Sequence, residues 1–138
     1  MASALYPSFK KALLDNNAPA IDFNSDTIRV IFVTSGYTYN SAHDFFDDLT
    51  NTIGDGGTGR ANGEQLITPT TTGGVLDADD TVFASVTGAA INAIVMYEDT
   101  GADNTSSLIA YIDGISFTPN GGQVTIQWSS GASKILAI

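Results

Sequence analysis

His43 is the single histidine in the chain. A Ser–His–Asp triad needs an oriented imidazole in a pocket, and a two-histidine metal site is impossible within one chain. His43 sits beside Asp44, where a helix start is expected, and that placement asks for no chemistry. Asp77-Ala78-Asp79-Asp80 carries alternating oxygen ligands of the kind calcium takes. It lacks the bend glycine and the distal Glu of a helix–loop–helix calcium site, so it reads as a turn. Glu98-Asp99-Thr100-Gly101-Ala102-Asp103-Asn104 reads in the same way, as a loop between strands. Glycoside hydrolysis needs two carboxyl groups converging across a cleft, about 5–10 Å apart. Only Glu64 and Glu98 are Glu among 15 acids, and nothing in the spacing selects a pair. Gly54-Asp55-Gly56-Gly57-Thr58-Gly59 is glycine-rich but has no Gly-Lys-Ser/Thr, so it is not a phosphate cradle. Ser35-Gly36 and Ser130-Gly131 do not make a nucleophile elbow. No catalytic, cofactor-binding or metal-ligating residue is therefore assigned, and the chain is not expected to be an enzyme.

Trp128 and the tyrosines at 6, 37, 39, 97 and 111 could form a sugar-binding shelf. Trp128, Tyr97 and Tyr111 fall in alternating strand patterns, which makes them core. Tyr37 and Tyr39 fall in a loop and are the better candidates for touching another molecule.

The elements that would position these residues follow from composition and period. At 138 residues the chain is one domain long, enough to bury roughly two thirds of its unfolded surface. The net charge is −10 and the pI near 4.1. That balance argues against nucleic acid as a partner, since phosphate contacts need clustered Lys and Arg. No apolar run is long enough for a membrane helix. With no cysteine there are no disulfides or thiolate sites. The start, Met1-Ala2-Ser3-Ala4-Leu5-Tyr6-Pro7, has neither the basic nor the apolar region of a secretory signal. Synthesis in a cytoplasm is expected.

Thr- and Gly-rich sequence with Asp in turns predicts a mainly β protein. We expect one antiparallel β-sandwich or barrel-like domain over 1–138, with one or two short helices. Residues 3–14 predict the first helix, from the Leu5, Phe9, Leu13 stripe. Lys10 and Lys11 lie near its C-terminal end, where cations complement the dipole. It is read as part of an N-terminal arm over 1–20, ended by Asp15-Asn16-Asn17-Ala18-Pro19. A second helix is expected from Ser41, with Asp44 completing a capping box and Phe45, Phe46 and Leu49 facing inward. Residues 54–63, with five glycines, read as a flexible loop.

Strands are expected at 28–33, apolar on both faces and so central, and at 65–72, where Pro69 marks an edge. Further strands are expected at 74–77, 81–86, 91–98, 108–113, 123–129 and 134–138. In 123–129, Val124, Ile126 and Trp128 share a face, and Trp128→Ala is expected to lose roughly 3–5 kcal/mol as a core change. The apolar end, Ile135 to Ile138, is expected to tuck into a sheet or against a partner.

Taken in order, several stretches resemble a family of small virion proteins of tailed bacteriophages. They are Leu5-Tyr6-Pro7-Ser8-Phe9-Lys10-Lys11-Ala12-Leu13-Leu14-Asp15, Ile21-Asp22-Phe23, Asp26-Thr27-Ile28-Arg29-Val30 and Tyr37-Thr38-Tyr39-Asn40-Ser41-Ala42-His43-Asp44-Phe45. Gly73-Gly74-Val75-Leu76-Asp77-Ala78-Asp79-Asp80, Leu108-Ile109-Ala110-Tyr111-Ile112-Asp113 and Thr118-Pro119-Asn120-Gly121-Gly122 complete the series. The resemblance implies a capsid decoration, or cement, protein on the outer shell. Its partners would be the major capsid protein and further copies of itself, as a trimer or dimer. It carries no residue-level motif for shell contact.

A cement protein needs a rigid body and docking parts, and many copies turn modest contacts into avidity. Removal of residues 1–14 is expected to leave the β body folded while weakening attachment. Two other readings stay open. One is a tail-associated or receptor- and carbohydrate-binding virion module, which asks for an exposed shelf at Tyr37 and Tyr39. The other is a glycan hydrolase with two converging carboxylates.

Overall fold

The computed structural model describes residues 3–15, 21–129 and 135–137. The expected break at 16–19, the Ser130-Gly131 pair, Lys134 and Ile138 lie outside the described residues.

The elements in chain order are β1 (Ala4–Leu5), α1 (Pro7–Asp15), β2 (Ile28–Thr34), β3 (Thr52–Ile53), β4 (Glu64–Gln65) and β5 (Val75–Leu76). They continue with β6 (Thr81–Phe83), β7 (Ile91–Glu98), β8 (Leu108–Ile112), β9 (Val124–Ile126) and β10 (Leu136–Ala137). Three 3-10 turns punctuate the loops, at Phe46–Asp48, Arg60–Asn62 and Thr72–Gly74. The protein is a single, mainly β domain, with one α-helix and only antiparallel pairing among the described residues.

The main sheet runs β1-β8-β7-β2-β3, with β4 also on β2. β2 is central for the reason its sequence gives. Ile28, Val30 and Phe32 point to one face and Ile31 and Val33 to the other, and all five are buried. β7 repeats the pattern, with Ile94 and Met96 opposite Ala93, Val95 and Tyr97. A register shift at Met96/Tyr97 lets β8 bring Ile109 and Ala110 to the first face and Leu108 and Tyr111 to the second.

The first face is closed by the two small sheets, β5–β10 and β6–β9, which bring Leu76, Phe83, Val124, Ile126 and Trp128 onto it. Phe32 stacks on Phe83 at 4.6 Å and meets the edge of Phe117 at 5.4 Å. The layering is sandwich-like, with one broad sheet and two narrow ones across a shared core. The second face is closed by the loop from Tyr37 to Leu49 and by Tyr6.

Three sequence expectations change here. The expected arm begins inside the main sheet, at β1, with α1 following it. β1 pairs with β8, Ala4 opposite Tyr111, and Tyr6 donates its backbone N–H to Ile109 O. The chain then crosses the sheet edge, so Tyr6 enters the second face and Phe9 the first, at 0% and 2% exposure. Second, there is no α-helix after Ser41. Asp44 O accepts from Leu108 N and Phe46 N donates to Ser106 O, so the backbone pairs toward β8 and then makes only the 3-10 turn at Phe46–Asp48. Asp48, not Asp44, supplies the cap, its carboxylate accepting from Asp44 N at 2.9 Å. Third, the expected strand at 65–72 keeps only Glu64–Gln65, followed by an isolated bridge between Thr70 and Asp77.

Trp128 sits half-buried against the first core face, its indole N–H donating to Thr81 Oγ1 at 3.2 Å. A partly exposed ring loses less on truncation than a fully buried one. Trp128→Ala is therefore expected to cost about 2 kcal/mol, below the 3–5 of a full core deletion. Chemical denaturation of the variant checks this; a loss beyond about 4 kcal/mol would mean the ring is core.

Candidate functional site

His43 is placed on the second face, at the end of a chain of hydroxyls. Its Nδ1 lies 2.9 Å from Tyr37 Oη, which lies 2.8 Å from Tyr6 Oη. Burial pushes Tyr37 up to about 12 and Tyr6 higher still, so both phenols stay protonated. Tyr39 and Tyr111 pack beside them, with ring centroids 5.5 Å apart, and Tyr39 lies 5.1 Å from Tyr6. Tyr37 is 4% exposed, which corrects the expectation that it meets another molecule. Tyr39 is half-buried, its hydroxyl donating to Leu5 O at 3.4 Å. Tyr6 and Tyr37 can face inward because their hydroxyls bond to each other and, from Tyr37, to His43, which removes the cost of burying a lone phenol.

The glycine-rich loop is an excursion between β3 and β4, which pair in succession with the same edge of β2. It is laid down by specific bonds. The Asp55 carboxylate accepts from Ala84 N and Ser85 N at 3.1 and 3.0 Å, and Gly56 N donates to Ser85 O. Asn62 Nδ2 donates to Asp55 O at 3.0 Å. Gly63 must be glycine, because a Cβ there would run into the Tyr97 hydroxyl and the Val30 carbonyl.

Beyond this loop lies an ion-pair network at the end of the sheet. Asp99 accepts from Arg29 Nε at 2.7 Å and Arg60 Nη1 at 2.5 Å, and Arg60 Nε reaches Asp103 at 2.9 Å. Arg29 also donates to Gly63 O at 2.7 Å, and Tyr97 Oη donates to Arg60 O at 2.5 Å. Burial alone raises the Asp99 carboxyl, but Gly101 N–H and the two guanidinium groups outweigh it and hold it low. Both arginines of the chain are thus engaged within the body.

Six of the acids lie as neighbouring pairs that perturb one another, Asp55 with Glu64, Asp26 with Glu98 and Asp44 with Asp48. Desolvation first, then the neighbouring carboxylate, pushes Glu64 and Glu98 up to about 7 each. Asp44 is raised for the same two reasons.

Asp77 lies in the bridge to Thr70, and Asp79 accepts from Thr68 Oγ1 at 3.0 Å. Among the described residues, no group of three or more His, Asp or Glu could hold a metal ion. Lys11 pairs with Asp15 along α1.

No family model, curated protein or solved structure matches the chain.

One feature had no signal in the sequence. A pocket of about 190 Å³ opens between α1 and the Phe45–Ser107 bridge. Phe9, Ala12, Ile21 and Phe45 give it apolar walls, and Ser8, Lys11, Asp44 and Ser107 the polar part. Ser8 Oγ and Ser107 Oγ are the two buried side-chain polar atoms without a hydrogen-bond partner among the described residues. Both residues line this pocket.

The acid pairs give the fold a pH signature. Glu64 and Glu98 have folded values raised above the unfolded 4.5, so their contribution is full below about 4.5 and is lost as pH rises through about 7. Asp22, Asp48, Asp55 and Asp99 are lowered, so their contribution is present above about 4 and fades as pH falls further. Thermal unfolding is expected to show greatest stability between about pH 4.5 and 6, with Tm several degrees lower at pH 8. Glu64→Gln and Glu98→Gln together should flatten the alkaline limb; a Tm rising steadily to pH 8 would contradict the pairing.

Proposed function

We propose that this chain is a structural protein of a tailed-bacteriophage virion, a decoration or cement protein. It is made in the bacterial host cytoplasm, assembles as a trimer or dimer, sits on the outside of the shell and bridges major capsid subunits. The observation that carries this reading is the use of the ionisable side chains. His43, both arginines and both glutamates are fastened inside the body, to Tyr37, Asp99 and Asp103, Asp55 and Asp26. A molecule that works by bracing puts its strong interactions into rigidity and leaves its outer surface for contact. The sequence resemblance supports the same reading.

The partner's chemistry follows from charge. With 15 acids against 5 bases, and both arginines engaged internally, the surface is strongly anionic. Like charges repel across an interface, so the shell must offer basic or apolar contact. Neither nucleic acid nor a lipid surface of anionic character fits this partner. The tail-associated, carbohydrate-contacting reading loses support from Tyr37, which lies under the sheet instead of on a shelf.

The test is a cryo-electron-microscopy map of intact particles of the phage that encodes this chain. Density for the domain on the outer shell, at a subunit junction, is the expected result. Absence of the polypeptide from particles, or turnover of a glycan or ester by the purified protein, would overturn the reading.

A further inference from the structure

We propose that the outer face of the β6–β9 sheet, continued by the loops 84–90 and 115–122, is where two copies of this chain meet about a two-fold axis. This rests on the decoration reading for the existence of self-association and names its surface. Residues 81–97 carry no charged side chain, and neither do 114–133; all 15 acids and 5 bases lie elsewhere in the sequence. The fold brings these two stretches together. Val82 pairs with Thr125, Val86 N donates to Gly122 O, and Gly121 N donates to Val86 O. Ser85 Oγ donates to Gly121 O at 3.2 Å, and Ile91 bridges to Phe117.

Strand alternation decides what this surface shows. Phe83, Val124, Ile126 and Trp128 turn to the first core face, which leaves Val82, Gln123, Thr125 and Gln127 exposed on the other side. The loops add small uncharged residues, Thr87, Ala89 and Thr118 among them, all exposed. Acids border the face without entering it. Asp80 precedes β6, Asp113 precedes the second stretch, and the Asp55 carboxylate is held by Ala84 N and Ser85 N.

The rest of the surface makes a second copy the occupant. At −10 per chain, two copies repel wherever their acids face each other. In a two-fold contact each patch meets its own image, so a patch with net charge always opposes like charge. An uncharged face escapes this, and depletion of charge is the compositional mark of an interface core. A basic shell is drawn to the acid-bearing faces instead and gains no such attraction here.

The test is sedimentation equilibrium of the full chain across a range of protein and salt concentrations. A monomer–dimer equilibrium is expected. It should tighten as salt rises, because salt screens the repulsion between the acidic bodies and the face holds no ion pair to weaken. Thr125→Asp and Thr125→Lys should each weaken the dimer about tenfold or more, because either charge meets itself. Mixed in equal amounts at low salt, the two variants should dimerise again. Thr125 is exposed, so both should keep the melting temperature within a few degrees. If either fails to fold, Gln123→Asp and Gln123→Lys carry the same test.

A monomer at every concentration, a trimer, a dimer that loosens as salt rises, or wild-type dimerisation by a folded Thr125→Lys variant would each overturn the proposal. So would a mixture of the two variants that stays monomeric. Folded variants that remain dimeric but no longer bind shells would put the shell on this face and overturn it too. The measurement uses the free protein, so it fails separately from the particle map. A monomer that still decorates shells sinks only the two-fold face. A dimer that is absent from particles sinks the decoration reading.

Discussion

Removal of residues 1–14 is expected to unfold the protein, not to trim an arm from it. Tyr6 and Phe9 are almost wholly buried, on opposite faces of the main sheet, and β1 supplies the pairing for the β8 edge. Deleting large buried aromatics costs about 3–5 kcal/mol each. Two of them, with the strand, approach the whole 5–15 kcal/mol by which a domain is stable. The Tyr6–Tyr37 bond is lost as well, which leaves the Tyr37 hydroxyl facing a void. Circular dichroism and thermal melting of the truncated chain provide the check. A cooperative transition within a few degrees of the full-length value would show that the segment is an appendage after all. Attachment to shells must therefore be tested with point variants, because a truncated chain would fail for lack of a fold.

Asp99→Ala is expected to cost about 2–4 kcal/mol. The Asp99 side chain is 10% exposed and accepts from Arg29, Arg60 and Gly101 N. Taking away one member of a buried ion-pair cluster leaves the others charged and unpaired, which usually costs 3–5 kcal/mol. The Arg29 and Arg60 side chains are 25% and 19% exposed, so water recovers part of that. Denaturant titration measures the loss. A double-mutant cycle with Arg60→Ala should give coupling above about 0.5 kcal/mol, the sign of a direct interaction. A single-variant loss within about 0.5 kcal/mol of zero would place the network among surface ion pairs of little consequence.

The main strands were legible because their signal is local and redundant. The run from Ile91 to Glu98 contains β-branched and apolar residues on both faces, and it forms a strand with those bounds. The 28–33 run extends by one residue to Thr34. The stretch after Ser41 misled because its apolar spacing suits a helix while its three aspartates do not favour one strongly. Pairing with Ser106 and Leu108, which no local pattern records, then decided the matter.

Tyr37 and Tyr39 alternate as strand residues do, but the partner that draws Tyr37 inward is Tyr6, far away in sequence. The same holds for Asp26 with Glu98 and Asp55 with Glu64. No local pattern links the members of either pair, and only the fold brings them together. The orphan hydroxyls of Ser8 and Ser107 were invisible for a further reason. A missing partner is a property of the packed state and leaves no trace in residue type.

The pairing of Ala4 with Tyr111 also dictates when the molecule takes shape. β1 waits for a mate that is translated much later, and β5 likewise waits for β10. Closing such long loops is entropically costly and slows the crossing of the barrier. Tyr6 and Phe9 thus stay without their sheet until β8 has been made.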